Sequence, residues 1–186
     1  MTSRPTRLKY FTSAAYILVV VITLSGCATV GLGSRHVDFT AGFTTPEGNR
    51  IAIRAAHFDD TWGGPVGLVS CCWDDTGKLV SGIGRPLPRK AYIQWYQRQE
   101  DVVYEATLHL PRDLGRLARQ MPEYEIIPSG RKDKHIYLVF GMKPDGQIEA
   151  WLTNAGSDRN TGGRVRHVLA QAQGTVVDES DDKTDK

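Results

Sequence analysis

"YLVFGMKPDGQIEAWLTNAG", residues 137–156, is the stretch of sequence that decides the fold. Two apolar runs, "KHIYLVFGM" (residues 134–142) and "QIEAWLT" (residues 147–153), flank the four residues "KPDG". A proline presets φ and a glycine tolerates positive φ, so Pro144-Asp145-Gly146 indicates a tight turn. The stretch is therefore predicted to form an antiparallel β-hairpin.

A second hairpin is predicted upstream of the first. "AYIQWYQ" (Ala91–Gln97) is rich in aromatic and β-branched residues, and "DVVYEATLHL" (Asp101–Leu110) alternates between apolar and polar positions. One face of the second run is apolar and carries Val102, Tyr104, Ala106, Leu108 and Leu110. The residues "RQED" (Arg98–Asp101) are expected to form the connecting turn.

Three further segments are typical of strands. They are "NRIAIRAAHF" (Asn49–Phe58), "LVSCCW" (Leu68–Trp73) and "RVRHVLA" (Arg164–Ala170). Between the first two lies "TWGGPVG" (Thr61–Gly67), whose glycines predict a loop.

One helix is predicted after the second hairpin. Pro111 suits a first helical position, and Pro122 ends the pattern. Between them, apolar residues recur with helical spacing at Leu114, Leu117, Ala118 and Met121. With about six strands and this one short helix, the predicted fold class is α+β, dominated by antiparallel β-sheet.

The first 26 residues are typical of a secretory signal peptide. Their only charges are positive, on Arg4, Arg7 and Lys9, and the apolar run Ala14–Leu24 follows. As a helix this run would rise about 16 Å, whereas a bilayer core is about 30 Å thick. The run is therefore too short to be expected to span a membrane.

"LSGC", residues 24–27, resembles a bacterial lipobox. The resemblance implies that Cys27 is acylated, becomes the N-terminus after cleavage and anchors the chain through more than one acyl chain. Ala28, rather than an aspartate, follows the cysteine, which favours the outer membrane by resemblance to bacterial sorting.

Four regions follow from this interpretation: a signal peptide (1–26), a lipidated N-terminus and tether (27–40), a single β-rich globular domain (41–174) and an acidic disordered tail (175–186). Loss of the signal peptide removes three of the 23 basic residues and leaves 20 against 21 acidic ones, a net charge of −1. The basic residues are not clustered, so no nucleic-acid partner is expected.

The order of these features resembles the bacterial lipoproteins grouped as domain of unknown function 2931. The resemblance covers about residues 51–156 and is best at Gly141, Pro144, Gly146 and Trp151. Its motifs are structural rather than catalytic. The adjacent cysteines depart from the pattern and resemble a neighbouring lipoprotein family that contains type VI secretion immunity proteins.

Cys71 and Cys72 are the only cysteines left if Cys27 is lipidated. An oxidising periplasm favours a disulfide, but adjacent Cα atoms lie about 3.8 Å apart, whereas disulfides prefer about 4.4–6.8 Å. In an extended strand the two side chains would point to opposite faces of the sheet. A vicinal disulfide, two small buried thiols and a redox or partner-binding pair all stay open.

Four aromatic residues are candidate partner contacts: Trp62, Trp73, Tyr92 and Tyr96. If Ile93 and Trp95 face the core, then Tyr92 and Tyr96 lie on the exposed face of their strand, where tyrosine suits a protein interface. The alternative is a strand buried on both faces under the helix. Trp62, in the glycine-rich loop, is expected at a solvent-reachable tip.

No group of residues predicts catalysis. The five histidines, which lack metal-ligand spacing, are His36, His57, His109, His135 and His167. The aspartate pairs in "HFDD" and "CWDD" suit turns better than a cation site, and the chain has no Gly-x-Ser-x-Gly elbow. No metal, cofactor or small-molecule substrate is therefore predicted, and a thiol enzyme using Cys71 or Cys72 is the remaining catalytic alternative.

The expected function is that of a non-enzymatic binding protein anchored on the periplasmic face of the outer membrane. The family resemblance implies an immunity protein that neutralises a secreted phospholipase effector of a type VI system. The alternative is a structural or assembly lipoprotein of the cell envelope.

Overall fold

The two predicted hairpins are confirmed, and each forms part of a different β-sheet. A computed structural model describes residues 36–178 except Asp74. Cys27, the signal peptide and residues 179–186 of the acidic tail lie outside the described residues, as does Asp74 of "CWDD". Among the described residues, no helix is long and apolar enough to cross a membrane.

The described part of the chain holds one helix and fourteen strands, several of them very short. The elements are β1 (Thr40–Thr44), β2 (Ile51–Phe58), β3 (Trp62–Gly63), β4 (Gly67–Val69), β5 (Lys78–Ser81), β6 (Lys90–Gln97), β7 (Val102–His109), α1 (Leu114–Gln120), β8 (Tyr124–Ile126), β9 (Arg131–Asp133), β10 (Tyr137–Met142), β11 (Gln147–Thr153), β12 (Thr161–Gly162), β13 (Arg166–Gln173) and β14 (Thr175–Val176).

The hairpin that decides the fold, β10 and β11, lies in a five-stranded sheet of order β13-β11-β10-β1-β5. Gly146 adopts φ +78°, as the turn requires. The strand β1 runs parallel to β10, with Thr40 opposite Tyr137, whereas the other pairings between these strands are antiparallel. This strand begins at Thr40, the last residue of the expected tether. The sequence does not predict the strand, because its partner is distant in sequence and no local pattern marks it.

The second hairpin, β6 and β7, lies in a six-stranded sheet with the path β14-β7-β6-β2-β3, and β4 also pairs with β2. The prediction that "TWGGPVG" forms a loop is wrong in part, because Trp62–Gly63 forms the short strand β3, which pairs with the end of β2. The predicted strand Leu68–Trp73 is also too long. Its ladder ends at Val69, so both cysteines lie outside the sheet.

The two sheets pack face to face around an aromatic core. Phe43 of β1, Phe58 of β2 and Phe140 of β10 are fully buried, with ring centroids 5.5–6.4 Å apart. Ile93 and Trp95 also face inward with no exposure, which is the condition under which Tyr92 and Tyr96 face outward. The core therefore lies between the inner faces of the two sheets.

The helix α1 closes part of this core through Leu114 and Ala118, and it ends before Pro122 as predicted. The prediction that Pro111 opens the helix is wrong by three residues. The Pro111 carbonyl instead accepts a hydrogen bond from the Leu114 amide at 3.1 Å, which forms a turn before the first helical residue.

Several short strands have no counterpart in the sequence prediction. β12, β8 and β9 form a separate three-stranded sheet. At the C-terminal end, Thr175 and Val176 pair with Glu105 and Tyr104 of β7, so the sheet extends into the segment expected as tail. β13 and β14 are separated only by Gly174, so one run of chain borders both large sheets.

Candidate functional site

The Cys71 and Cys72 side chains form a vicinal disulfide. The bridge begins the segment called the covering segment below, residues 71–73 and 75–77, which lies on the outer face of the five-stranded sheet. Cys72 adopts φ +81°, a conformation that is uncommon for a residue with a side chain. Of the three alternatives that the sequence left open, the structure has the vicinal disulfide. Two thiols on opposite sheet faces would require a strand at these residues, and the strand ends at Val69.

Glycines in the sheet give the covering segment room to approach. A Cβ atom on Gly42 would lie 2.5 Å from the Thr76 carbonyl oxygen, and one on Gly141 would lie 2.7 Å from both Trp73 and Trp151. A glycine inside a strand often marks such a close approach. Gly141 is therefore required because two tryptophans pack against its backbone on the outer face of the sheet.

Hydrogen bonds fix both ends of the covering segment. The Thr44 hydroxyl donates to the carbonyl oxygens of Cys71, at 3.2 Å, and of Cys72. The Thr76 amide donates to the Gly156 carbonyl at 2.9 Å. The segment is thus held to β1 and to the chain that follows β11.

Trp73 packs on the outer face of the sheet and remains partly exposed. Its ring lies 5.4 Å from the buried ring of Trp151. The Arg166 guanidinium lies 4.0 Å from the Trp151 centroid and pairs with the buried carboxylate of Glu149, which also accepts a hydrogen bond from Gln171 at 2.7 Å. Trp73 is therefore held by a packed aromatic and ionic cluster.

A cleft of about 800 Å³ opens beside Trp73. Its apolar wall consists of Trp73, Cys72, Pro46 and Pro144. Its charged groups are the side chains of Glu47, Asp75, Lys143, Asp145 and Arg159. Four separate parts of the chain thus meet around one space of a size typical of small-molecule sites, which are about 300–1,000 Å³.

Buried polar side chains fix the loop that carries Pro46 and Glu47. The Thr45 hydroxyl donates to the Met142 carbonyl at 2.8 Å, and the Asn49 amide donates to the Thr45 hydroxyl at 2.6 Å. Gln97 in turn donates to Asn49. All three side chains are buried, so this loop is tied to both large sheets.

A second surface lies on the outer face of the six-stranded sheet. Tyr92 and Tyr96 of β6 are partly exposed there, with the exposed side chains of Arg54 and His57 beside them on β2. These four residues are called the tyrosine face below. Their exposure excludes the alternative in which both faces of β6 are buried under the helix.

Each tyrosine of this face is oriented by a carboxylate. The Tyr92 hydroxyl donates to Glu105 at 2.8 Å, and the Tyr96 hydroxyl donates to Asp101 at 2.5 Å. Desolvation, followed by the hydrogen bond to Glu105, raises the pKa of Tyr92 to about 12. The hydrogen bond to Asp101 is the main cause of a raised pKa at Tyr96.

Arg54 and His57 support the two rings. The Arg54 guanidinium lies 5.2 Å from the Tyr96 centroid, and the His57 ring stacks on Tyr92 with centroids 6.1 Å apart. The tyrosine face is therefore an ordered aromatic surface rather than a set of mobile side chains.

Trp62 is not a surface contact, and the prediction that it lies at a loop tip is wrong. Its side chain is only 8% exposed, and its ring centroid lies 4.3 Å from that of Phe58. The pairing of Trp62 opposite Phe58 turns the indole into the core, where Phe39 also contacts it.

The aspartates of "HFDD" stabilise a turn, as predicted. Asp59 accepts hydrogen bonds from the amides of Arg89 and Lys90, both at 2.8 Å, and Asp60 pairs with the Lys90 ammonium. Within residues 36–73 and 75–178, no three histidine, cysteine or acidic side chains are grouped so that they could hold a metal ion.

The comparisons with known proteins gave one family. A family model described as "Protein of unknown function (DUF2931)" matches residues 28–186, which include the whole described domain. No curated protein and no solved structure matches the chain.

Proposed function

The chain belongs to the DUF2931 family, as its sequence predicts, and we propose that it is a lipid-anchored, non-enzymatic binding protein that neutralises a lipase delivered into the periplasm. The observation that carries the proposal is the tyrosine face. A partly exposed sheet surface with ordered aromatic side chains suits the recognition of another protein better than it suits chemistry.

The tyrosine face has the properties of an interface anchor. The hydrogen bonds of Tyr92 and Tyr96 to carboxylates hold their rings before any partner arrives. Binding then costs little side-chain entropy, which is why rigid aromatic residues contribute strongly at interfaces. Arg54 adds a cation beside Tyr96, and arginine is also enriched at such positions.

The chemistry of a lipase suits this surface. The mouth of a lipase must admit acyl chains and is therefore apolar, with a polar rim facing water. Tyrosine rings can cover the apolar part, while their hydroxyls and the Arg54 guanidinium meet the rim. Occlusion of this kind needs no catalytic group on the inhibitor.

A membrane anchor strengthens the same function. Acylation of Cys27 would hold the inhibitor at the surface that the lipase attacks and so raise its effective concentration there.

The test asks whether a neighbouring gene encodes a secreted lipase and whether this chain protects cells from that lipase. A strain without the gene receives the wild-type chain, the double variant Tyr92→Ala/Tyr96→Ala or the control Tyr124→Ala. Tyr124 is a suitable control because it is also partly exposed and its hydroxyl lies 3.4 Å from a carboxylate, but it belongs to the small sheet.

We expect survival with the wild-type chain and the control, and loss of protection with the double variant. Thermal unfolding of the purified double variant checks its fold, and Arg54→Glu tests the same face if that variant does not fold. Full protection by the folded double variant would exclude the tyrosine face as the anchor. Unchanged lipase sensitivity in the deletion strain, together with an envelope defect, would replace immunity with the structural or assembly role.

A further inference from the structure

We propose that the cleft beside Trp73 is a separate binding site for a saccharide unit of a glycan. The cleft uses no residue of the tyrosine face, so this proposal does not depend on the immunity function. It rests on an aromatic platform, on three charged side chains that have no partner among the described residues and on loops that are already fixed.

The platform comes from Trp73 and the apolar residues around it. One side of a pyranose ring presents C–H groups, which pack against the electron-rich face of an indole. Pro46, Pro144 and the polarizable sulfur of Cys72 extend this apolar wall. Trp73 does not have to be ordered on binding, because it already packs against Trp151.

The polar groups of the cleft match a ligand rich in hydroxyls. Within the described part of the chain, the side chains of Glu47, Asp75 and Arg159 form no hydrogen bond or ion pair with protein groups. A hydroxyl can donate to a carboxylate and accept from a guanidinium or an ammonium at the same time. A neutral polyol can therefore use both kinds of charge in one site.

Other small ligands suit these charges less well. An acyl chain would remove five charged side chains from water without replacing their hydrogen bonds, which is costly. An anion would face three carboxylates. An organic cation on the Trp73 ring would be repelled by the Lys143 ammonium, which lies 5.7 Å from the ring centroid, whereas a neutral sugar would not.

The walls of the cleft are fixed before a ligand binds. The buried bonds through Thr45 and Asn49 hold the loop of Pro46 and Glu47, and Thr44 holds the cysteine pair. Preorganisation of this kind improves affinity because less freedom is lost on binding.

The probes are two β-linked disaccharides, cellobiose and chitobiose, titrated into the full chain by calorimetry. The chain is kept in a detergent without a sugar head group, because a glycoside detergent would compete for the site. We expect saturable binding of at least one disaccharide. Trp73→Ala should weaken it about tenfold, which corresponds to about 1.4 kcal/mol, because the stacking platform is lost.

Glu47→Gln is the second variant, because it keeps the exposed loop and its hydrogen-bonding shape while it removes the charge. We expect it to weaken binding severalfold, whereas Tyr124→Ala should leave affinity unchanged. Absence of saturable binding to the wild-type chain at millimolar disaccharide would overturn the proposal. Equal affinity in the wild-type, Trp73→Ala and Glu47→Gln chains would also overturn it.

Two further probes identify the source of the glycan and exclude another ligand class. Co-sedimentation of the wild-type chain with purified cell-wall glycan, lost in Glu47→Gln, would assign the site to the polymer. Disaccharide binding without co-sedimentation would assign it to free oligosaccharides. Binding of a lysine-rich peptide at the cleft in place of either sugar would overturn the proposal.

Discussion

At the scale of single residues, Gly141 has no space for a methyl group, because Trp73 and Trp151 would each lie 2.7 Å from the added carbon. We expect Gly141→Ala to lower the free energy of unfolding by about 1–3 kcal/mol, the usual cost of overpacking. Urea unfolding followed by tryptophan fluorescence measures the change.

The matched control is Gly162→Ala in β12. There the nearest atoms to an added Cβ lie at 3.7 Å, an ordinary contact distance. Equal unfolding midpoints for the two variants would contradict the packing described for the covering segment.

Tyr92 gives a prediction for the pH dependence of stability. Its pKa is raised from 10.0 to about 12, so the protonated hydroxyl is favoured in the folded protein. The resulting contribution to folding is complete below pH 10 and is lost as the pH rises through about 12. In an alkaline titration followed by phenolate absorbance, Tyr92→Phe should remove one late-ionising tyrosine. A curve with an undiminished late component would show that Tyr92 is not the group that titrates there.

Residue-level predictions from the sequence succeed where a period-two pattern decides the outcome. Ile93 and Trp95 face the core, and this places Tyr92 and Tyr96 on the outer face. The prediction for Trp62 is wrong because its glycine neighbours indicate a loop, whereas strand pairing opposite Phe58 turns its ring into the core.

At the scale of secondary-structure elements, Glu149 and Arg166 join β11 to β13 on the outer face of the sheet. Glu149→Ala would leave a partly buried guanidinium without its main charged partner. We expect a loss of about 1–3 kcal/mol in the free energy of unfolding. Chemical denaturation measures it.

An exposed ion pair provides the comparison. Lys90 and Asp60 pair at 2.8 Å with side chains that are 38% and 69% exposed. Asp60→Ala should therefore change stability by only about 0–1 kcal/mol. If both variants lost the same amount, the burial of Glu149 would not explain its contribution.

Elements defined by local signals are the ones that the sequence predicts well. The hairpin β10–β11 depends on its own Pro-Asp-Gly turn, and the hairpin β6–β7 depends on two long alternating runs. β1 and β8 are short, and no local pattern in the sequence indicates their pairing with β10 and β12. The helix α1 starts three residues later than the sequence predicts, because a proline suits a turn before a helix as well as a first helical position.

At the scale of the whole molecule, the proposed attachment to the membrane would depend on Cys27, which lies outside the described residues. We expect Cys27→Ser to move the protein from the membrane fraction to the soluble fraction, because no thiol remains to be acylated. Fractionation with immunoblotting detects the shift, and Tyr124→Ala serves as a variant that should stay with the membrane. Retention of Cys27→Ser in washed membranes would refute the lipid anchor.

The cleft could not be predicted from the sequence. Glu47, Asp75 and Arg159 lie in different loops, and none stands in a recognisable motif. Only the folded sheets bring these loops together around Trp73. The sequence identifies Trp73 as a candidate contact residue and Cys71 and Cys72 as a possible disulfide. It does not indicate which charged groups surround them.

The parallel pairing of β1 with β10 also determines when the molecule can fold. A chain made from its N-terminus presents Thr40–Thr44 long before Tyr137–Met142 exists, so the centre of this sheet cannot form until most of the polypeptide has been synthesised. Folds that depend on such non-local pairing fold slowly. If the chain crosses the inner membrane as proposed, the five-stranded sheet cannot close until Tyr137–Met142 has also crossed.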